Sequence, residues 1–510
     1  MLDLGRTFLQ SVERRPQRLA IVDAEVRLSY AQWFEHIRSV AGALAGLGLE
    51  PGHHLAVVLQ NRWEMATLHW ACQFLGVIIT PLNWRAKADE IEYCVADANA
   101  RAIVFEPVSA EAVTAAPACR MIPRIAVGGA EGGTHAFGQL LEGAPPAQML
   151  RAAAEDFSLM LYTSGTTGRP KGVPRRHRAE RAAALAHVAQ NQYRVGEVTL
   201  GVMPLYHTMG VRSLLSMALV DGTFACMPRF DAGEALRLIA DEKVTNLYLV
   251  PTLYHDLLAH PDFAGADVST VKRIGFAGAP MNDALLKRLA QAFKPQLFVN
   301  HYGSSEIYTF TIDQQAPAKP GSAGRAGFNT RIRVVKLDAG GEKSAPEALA
   351  KPGEEGQIIA DLSGDEAFEG YWKRPDADAK ALRAGWYFTG DTGYIDPDGD
   401  LYVTGRVDDM IICGGENISP VDIESVLSFH PAVDEVAVAG MPDARWGQKV
   451  VAFVKAKGPV DAQGLDDYCR DSVLPNYKRP REYVFVKAVP KSPVGKILRR
   501  KLISGEYDKA

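Results

Sequence analysis

Six cysteines in 510 residues, with no CxxC pair among them, are too few and too scattered for a disulfide framework or a thiolate zinc site. Cys72, Cys94, Cys119, Cys226, Cys413 and Cys469 read instead as reduced thiols of a cytoplasmic protein. An excess of charge of one sign is also missing. The net charge is −4 and no long run of Lys or Arg occurs, so the chain lacks the basic field that nucleic acid requires. No uncharged apolar stretch reaches the length of a bilayer span. The opening MLDLGRTFLQSVERRPQRLA breaks its apolar positions with charges, unlike a signal or transit peptide. What is present is ordinary globular material, 47% apolar and 23% charged. A chain of this length outgrows a single core, so at least two domains are expected.

From Leu55 the pattern alternates. HLAVVLQ and VIITPLN read as strands around the helical WEMATLHWACQFLGV, and KADEIEYCVADANA as a helix before the strand RAIVFE. The same rhythm returns at EALRLIADEKVTNLYLVP and at VKRIGFAGAP through LFVNHYG. Alternation at this pace implies parallel βαβ units, and the length suits two doubly wound sheets in the first ~400 residues. Beyond the loop-like QAPAKPGSAGRAG come short strands punctuated by Gly, Asp and Pro, with PDGD marking an antiparallel hairpin. After Arg406 a compact α+β set follows, and the boundary is placed at Val407–Asp409.

One loop stands out. YTSGTTGRPKG, after an apolar strand, holds three glycines, four hydroxyl residues and a lysine. Small residues whose N–H groups turn inward form a nest for polyphosphate, and glycine lets the backbone approach the anion. The GxxxxGK[ST] spacing of NTPases is absent. A second candidate, NHYGSSE, ends a strand, where open α/β sheets bind ligands. GWYFTGD ends on Asp391, YVTGR on Arg406, and PVGKILRR carries Lys496.

Together, in this order and across essentially the whole chain, these motifs resemble the adenylate-forming superfamily of acyl-CoA synthetases, luciferases and peptide-synthetase adenylation domains. MPLYHTMG, RVDDMIICGGENISPVDIESVL, RWGQ and YKRP are most similar to bacterial aryl-CoA ligases of the 4-chlorobenzoate:CoA ligase type. The resemblance implies two doubly wound sheets with a small β-barrel-like subdomain (1–407), then a small mobile α+β domain (408–510) hinged near Asp408. It implies an ATP-dependent acid–thiol ligase that forms an acyl-adenylate, then an acyl-CoA, with Mg²⁺ and coenzyme A. Thr163, Ser164, Gly165, Thr166, Thr167, Gly168 and Lys171 would hold the β- and γ-phosphates. Gly278, Ala279, Pro280 and Tyr302, with Gly303, Ser304 and Ser305, would hold adenine. Asp391 would accept from the ribose hydroxyls, Arg406 would fix the ribose–phosphate region, and Glu306 would bind Mg²⁺. Lys496, Glu306 and His207 are the implied catalytic residues. Gly414, Gly415, Trp446, Tyr477 and Arg479 match positions on the coenzyme A path. Cys413 beside that path is not needed as a nucleophile, because the thiol of coenzyme A itself attacks.

The acyl pocket implied by the resemblance is bordered by His207, Thr208, Met209, Tyr248, Leu249, His301, Tyr308 and Thr309. Mixed aromatic and polar residues suit a flat ring with a polar substituent better than a long alkyl chain. His301, Tyr248 and Tyr308 depart from the apolar pocket of the chlorobenzoate type, and point to a hydroxylated benzoate or a cinnamate-like acid. Arg212 pairs a second carboxylate if it points inward, but an arginine is more often a surface residue. A peptide-synthetase domain would need an acidic partner near YHT, where His207 stands. A medium-chain fatty acyl-CoA ligase is the rival enzyme, and an inactive nucleotide-binding homologue the rival of another class. The implied partners are small molecules, with no nucleic acid and no membrane span, and a homodimer is left open.

Overall fold

The computed structural model describes residues 2–163, 169–338, 344–413, 416–472, 474–491 and 497–510. The alternation read after Leu55 forms a seven-stranded sheet. Its order is His135–Ala136, Arg124–Ala126, Ala100–Phe105, His54–Val58, Ile78–Pro81, Phe157–Thr163 and Lys171–Arg176. Every pairing is parallel except the last, where the chain folds back and sets Thr163 opposite Lys171. Pro174 sits in that returning strand, which is acceptable because it is the sheet edge.

A second sheet has nine strands. Leu297–Tyr302, Arg273–Phe276, Asn246–Leu249, Val198–Gly201, Thr223–Cys226 and Leu19–Asp23 run parallel at its centre, with antiparallel strands at both edges. Leu19–Asp23 joins Thr223–Cys226 from the far end of the sequence, a pairing that no local pattern announces. Between the sheets lie the helices Trp63–Leu75 and Thr208–Leu219, whose residues are almost all buried. One continuous core takes Leu55, Val57, Ile79 and Leu159 from the first sheet, and Ile21, Phe224 and Cys226 from the second. Burial on all sides explains why neither helix shows a clean polar face.

The third sheet is antiparallel: Ile332–Val335, Gly356–Asp361, Trp386–Ile395 and Leu382–Arg383 in order, with Leu401–Arg406 hairpinned onto Trp386–Ile395. The PDGD turn closes that hairpin, with Gly399 at φ +94°. After a 3₁₀ turn at Val407–Asp409, a fourth sheet of five strands packs against the helices Pro420–Ser428 and Ala462–Arg470. All six cysteines are free thiols, and only Cys413 is not fully buried. No described helix is long and apolar enough to cross a membrane.

Candidate active site

The strand Leu297–Tyr302 ends in a tight turn that its residues specify. Ser304 Oγ accepts from the N–H of Glu306 (3.2 Å) and of Ile307 (3.4 Å). Gly303 admits no side chain, since a Cβ there would lie 2.0 Å from the carbonyl oxygen of Tyr308. The turn drives Glu306 inward, to 6% exposure. Its Oε1 accepts from the Tyr371 hydroxyl at 2.7 Å, and its backbone carbonyl accepts from Arg175 Nη1 at 2.7 Å. Its Oε2 receives no hydrogen bond among the described residues, which leaves a hard anionic oxygen, the ligand type that Mg²⁺ takes. Lys171 Nζ lies 4.1 Å from the centre of the Tyr371 ring. One tyrosine thus separates a carboxylate on its hydroxyl from an ammonium on its face. Burial lowers the Lys171 pKa, and Glu306 opposes that shift.

A second cluster adjoins the first. Asp391, in the strand Trp386–Ile395, stands in register with Arg406 of the neighbouring strand. Asp391 Oδ1 accepts from Arg406 Nη1 at 2.7 Å and Oδ2 from the Tyr302 hydroxyl at 2.5 Å. Burial, with Asp391 adding to it, pushes the Tyr302 hydroxyl well above its ordinary pKa, so it stays a donor. Each oxygen of Asp391 keeps a lone pair for a further donor, as a vicinal diol requires. Tyr302 and Asp391 therefore bridge the nine-stranded sheet and the antiparallel sheet.

Gly278, at φ +86°, opens the loop with Ala279 and Pro280 after the strand Arg273–Phe276. A Cβ on Gly278 would lie 3.3 Å from Val250 and 3.9 Å from Met209 Sδ, so this loop touches the residues implied for the acyl group. His207 caps the helix Thr208–Leu219, its Nδ1 accepting from Met209 N at 3.4 Å. Thr208, Met209, Tyr248, His301, Tyr308 and Thr309 are all buried. Tyr248 packs on His187 (4.8 Å between ring centres) and His301 (5.1 Å). The Tyr308 hydroxyl donates to Glu180 Oε2 at 3.0 Å, and its ring lies between the guanidiniums of Arg175 and Arg212.

Arg212 overturns its surface expectation. It is 2% exposed, with Nη1 3.3 Å from the Tyr248 hydroxyl. The sheet-to-sheet helix that carries it has no solvent side to offer. Tyr371, Arg175, Glu180, His187, Asn191 and Glu366 also surround these clusters and were not expected there. For Tyr371 the only signal was an aromatic residue after Gly370 in FEGYW.

The remaining candidates lie apart or unseen. Trp446 and Tyr477 are exposed on the small domain, and Arg479 is held there by Asp466 (2.5 Å) and Asn476 (3.2 Å). Asp408 is exposed in its 3₁₀ turn, whereas the next residue, Asp409, pairs with Arg499 at 3.1 Å. Thr163 is described, its Oγ1 donating to the Lys171 carbonyl at 3.4 Å. Ser164–Gly168, Gly414, Gly415 and Lys496 lie outside the described residues.

Comparison with known proteins assigns the chain to a family. Residues 8–372 match the model of the AMP-binding enzyme family, and residues 422–496 that of the AMP-binding enzyme C-terminal domain. The chain is 35% identical over 503 residues to a 4-chlorobenzoate–CoA ligase of an Arthrobacter species, covering 96% of this chain and 93% of that one. It is 32% identical over 505 residues to the long-chain-fatty-acid–CoA ligase FadD13 of Mycobacterium tuberculosis, covering 98% and 97%. Among solved structures, the anthranilate CoA ligase AuaEII in complex with anthranoyl-AMP superposes with a TM-score of 0.89 at 27% identity, covering 99% and 97%. A strand-end carboxylate, a lysine across a tyrosine from it, and a Tyr302–Asp391–Arg406 bracket thus stand in a chain that belongs to the AMP-binding enzyme family.

Proposed function

We propose that this protein is an AMP-forming carboxylate–CoA ligase acting on an aromatic acid. The observation that carries the reading is the continuity of the Glu306 cluster with the buried acyl-side residues, which runs from the Glu306 carbonyl through Arg175 and Glu180 to the Tyr308 hydroxyl. In the first half-reaction a carboxylate oxygen bonds to the α-phosphorus of ATP, and the α–β phosphoanhydride breaks to release pyrophosphate. In the second, the coenzyme A sulfur bonds to the acyl carbon, and AMP leaves with the electron pair of the broken C–O bond.

An ionised acid must approach a polyanion in the first step, so electrostatics and positioning dominate. Lys171 and the loop Thr163–Gly168 receive the β- and γ-phosphates. Desolvation around Lys171 strengthens its pull on them. Glu306 holds Mg²⁺ through its unbonded oxygen, and the bound ion supplies charge neutralisation at the phosphates. Tyr302 and Gly278–Pro280 enclose adenine, Asp391 takes the ribose hydroxyls, and Arg406 holds Asp391 in place. Lys496 places an ammonium at the reacting oxygens, and His207 stands where the acyl and nucleotide sides meet. The chain divides into 1–407 and 408–510, with Asp408 the pivot. Rotation about it brings Gly414, Gly415, Trp446, Tyr477 and Arg479 to the coenzyme A path for the second step.

The relatives' names include both aryl and long-chain acids, so the acid is chosen by side chains. Tyr248, His301 and Tyr308 form a buried aromatic cluster with polar edges, a lining that suits a ring. Pyrophosphate release with ATP and Mg²⁺, measured against benzoates, cinnamates and octanoate, tests this. The expected result is turnover of aromatic acids, with AMP and the thioester appearing once coenzyme A is added. Preference for octanoate reassigns the acid, and an absence of AMP with every acid rejects the ligase.

A further inference from the structure

On the strength of that ligase reading, we infer that the acid carries an oxygen substituent, hydroxyl or carboxylate, at the end of its ring away from the reacting carboxylate, and that Arg212 reads it. Met209 lies against Gly278, on the nucleotide side of the helix Thr208–Leu219. Arg212 follows three residues later on the same face, about 4.5 Å deeper. It sits between two residues of the acyl-side cluster, 3.3 Å from the Tyr248 hydroxyl and 5.1 Å from the centre of the Tyr308 ring. The reacting end of an acid faces the nucleotide, so a ring laid along this helix presents its far end to Arg212.

Several buried polar atoms around Arg212 have no hydrogen-bond partner among the described residues. Arg212 Nε is buried without a hydrogen-bond partner. Asn191 Nδ2 lies 3.1 Å from His187 Nδ1 and 2.8 Å from the carbonyl of residue 187. An amide donor on Nδ1 puts the His187 proton on Nε2, and Nε2 is also buried and unpartnered. His301, its Nε2 bonded to Asn191, leaves Nδ1 unpartnered. Burial keeps both imidazoles neutral, with Arg212 reinforcing the effect. No ion pair joins Arg212 to a carboxylate among the described residues, although the buried Glu366 carboxyl faces the same centre, with Arg212 the largest charge acting on it and Asn329 beside it. Gly275 keeps the strand beside Tyr248 bare, because a Cβ there would lie 3.0 Å from the ring and 3.5 Å from Asn191 Oδ1. Buried donors left unmade are costly, and an acceptor oxygen on the substrate relieves that cost only when the right acid is bound.

The test is kcat/KM for pyrophosphate release with benzoate, 4-methylbenzoate, 4-hydroxybenzoate, terephthalate and 4-aminobenzoate, in the wild type and in Arg212→Met and Arg212→Lys. We expect 4-hydroxybenzoate or terephthalate to exceed 4-methylbenzoate by about 10- to 100-fold, the range of a charged hydrogen bond. Which of the two leads tells a hydroxyl from a carboxylate. Arg212→Met should bring that ratio close to one and Arg212→Lys should keep part of it, and a ratio is unmoved by a uniform loss of folded enzyme. Equal rates for the methyl and oxygen-bearing acids overturn the inference while leaving the ligase reading intact. So does a ratio unchanged in Arg212→Met. A preference for 4-aminobenzoate assigns the reading to Glu366 and also overturns it. No turnover of any of the five, nor of cinnamate and 4-hydroxycinnamate assayed beside them, removes the aromatic-acid reading, and this inference with it.

Discussion

The proposed nucleotide side and the proposed acyl side of this site use polar residues in opposite ways. On the nucleotide side, charges of both signs are paired and reachable: Asp391 with Arg406, and Glu306 with Lys171 across Tyr371. On the acyl side burial keeps His187 and His301 neutral, the Arg212 guanidinium has no ion-pair partner among the described residues, and burial is nearly complete. On the proposed reading the first arrangement handles charge that moves during reaction, so its groups need a partner that can be exchanged for substrate or ion. The second discriminates between ligands, where buried unpaired donors penalise the wrong one.

The widest separation between the two sides is expected at Lys496. Lys496→Ala should slow adenylation by about 10²- to 10³-fold or more, the range for removing a donor to developing charge. Thioester formation from supplied acyl-adenylate should persist. Single-turnover measurement of each half-reaction checks this, and an equal loss in both would falsify the division of labour between the domains. A smaller effect is expected at Asp391. Asp391→Asn breaks the charged link to Arg406 and weakens the ribose contact, so KM for ATP should rise about 10- to 100-fold with little change in KM for the acid. Parallel rises in both constants would mean that the two sides are not separable.

An effect of similar size concerns the acyl side and is read in stability rather than rate. Burial pushes the Glu366 carboxyl up to about 7 from its ordinary 4.5, with Arg212 and Arg175 holding it lower than burial alone would. The folded state therefore binds this proton more tightly than the unfolded chain. Its stabilising contribution is complete below pH ~4.5, falls as pH rises towards 7, and is flat above. Glu366→Gln should remove that slope, and gain on the order of 2–3 kcal/mol relative to wild type between pH 5 and pH 8. Urea melts at those two values measure it. An unchanged difference would mean that Glu366 is ionised and paired in solution.

Much of the nucleotide side was legible because its residues sit at strand ends and in turns, where local chemistry restricts the choice. Gly303 and Ser304 build the turn that aims Glu306, and Asp391 and Arg406 pair across a hairpin announced by PDGD. Tyr371 escaped notice because a lone aromatic residue carries no sign of the carboxylate it will bind. Arg212 was misjudged for a related reason. Arginine is usually exposed, and a helix buried on all sides lacks the periodicity that would have marked it otherwise. Leu19–Asp23 found its sheet some two hundred residues away, which a local pattern cannot encode.

By itself, then, the order of residues determined the alternating parallel architecture and the strand-end motifs, because each depends on short-range periodicity and turn stereochemistry, while the family was legible only as a resemblance carried by the ordered motifs. Only the tertiary structure decided that Tyr371 stands between Lys171 and Glu306, that Tyr302 joins two sheets through Asp391, and that Arg212 lies in the protein interior. Those facts arise from long-range packing, which sets the dielectric and the partners of a charge without leaving a trace in its immediate neighbours.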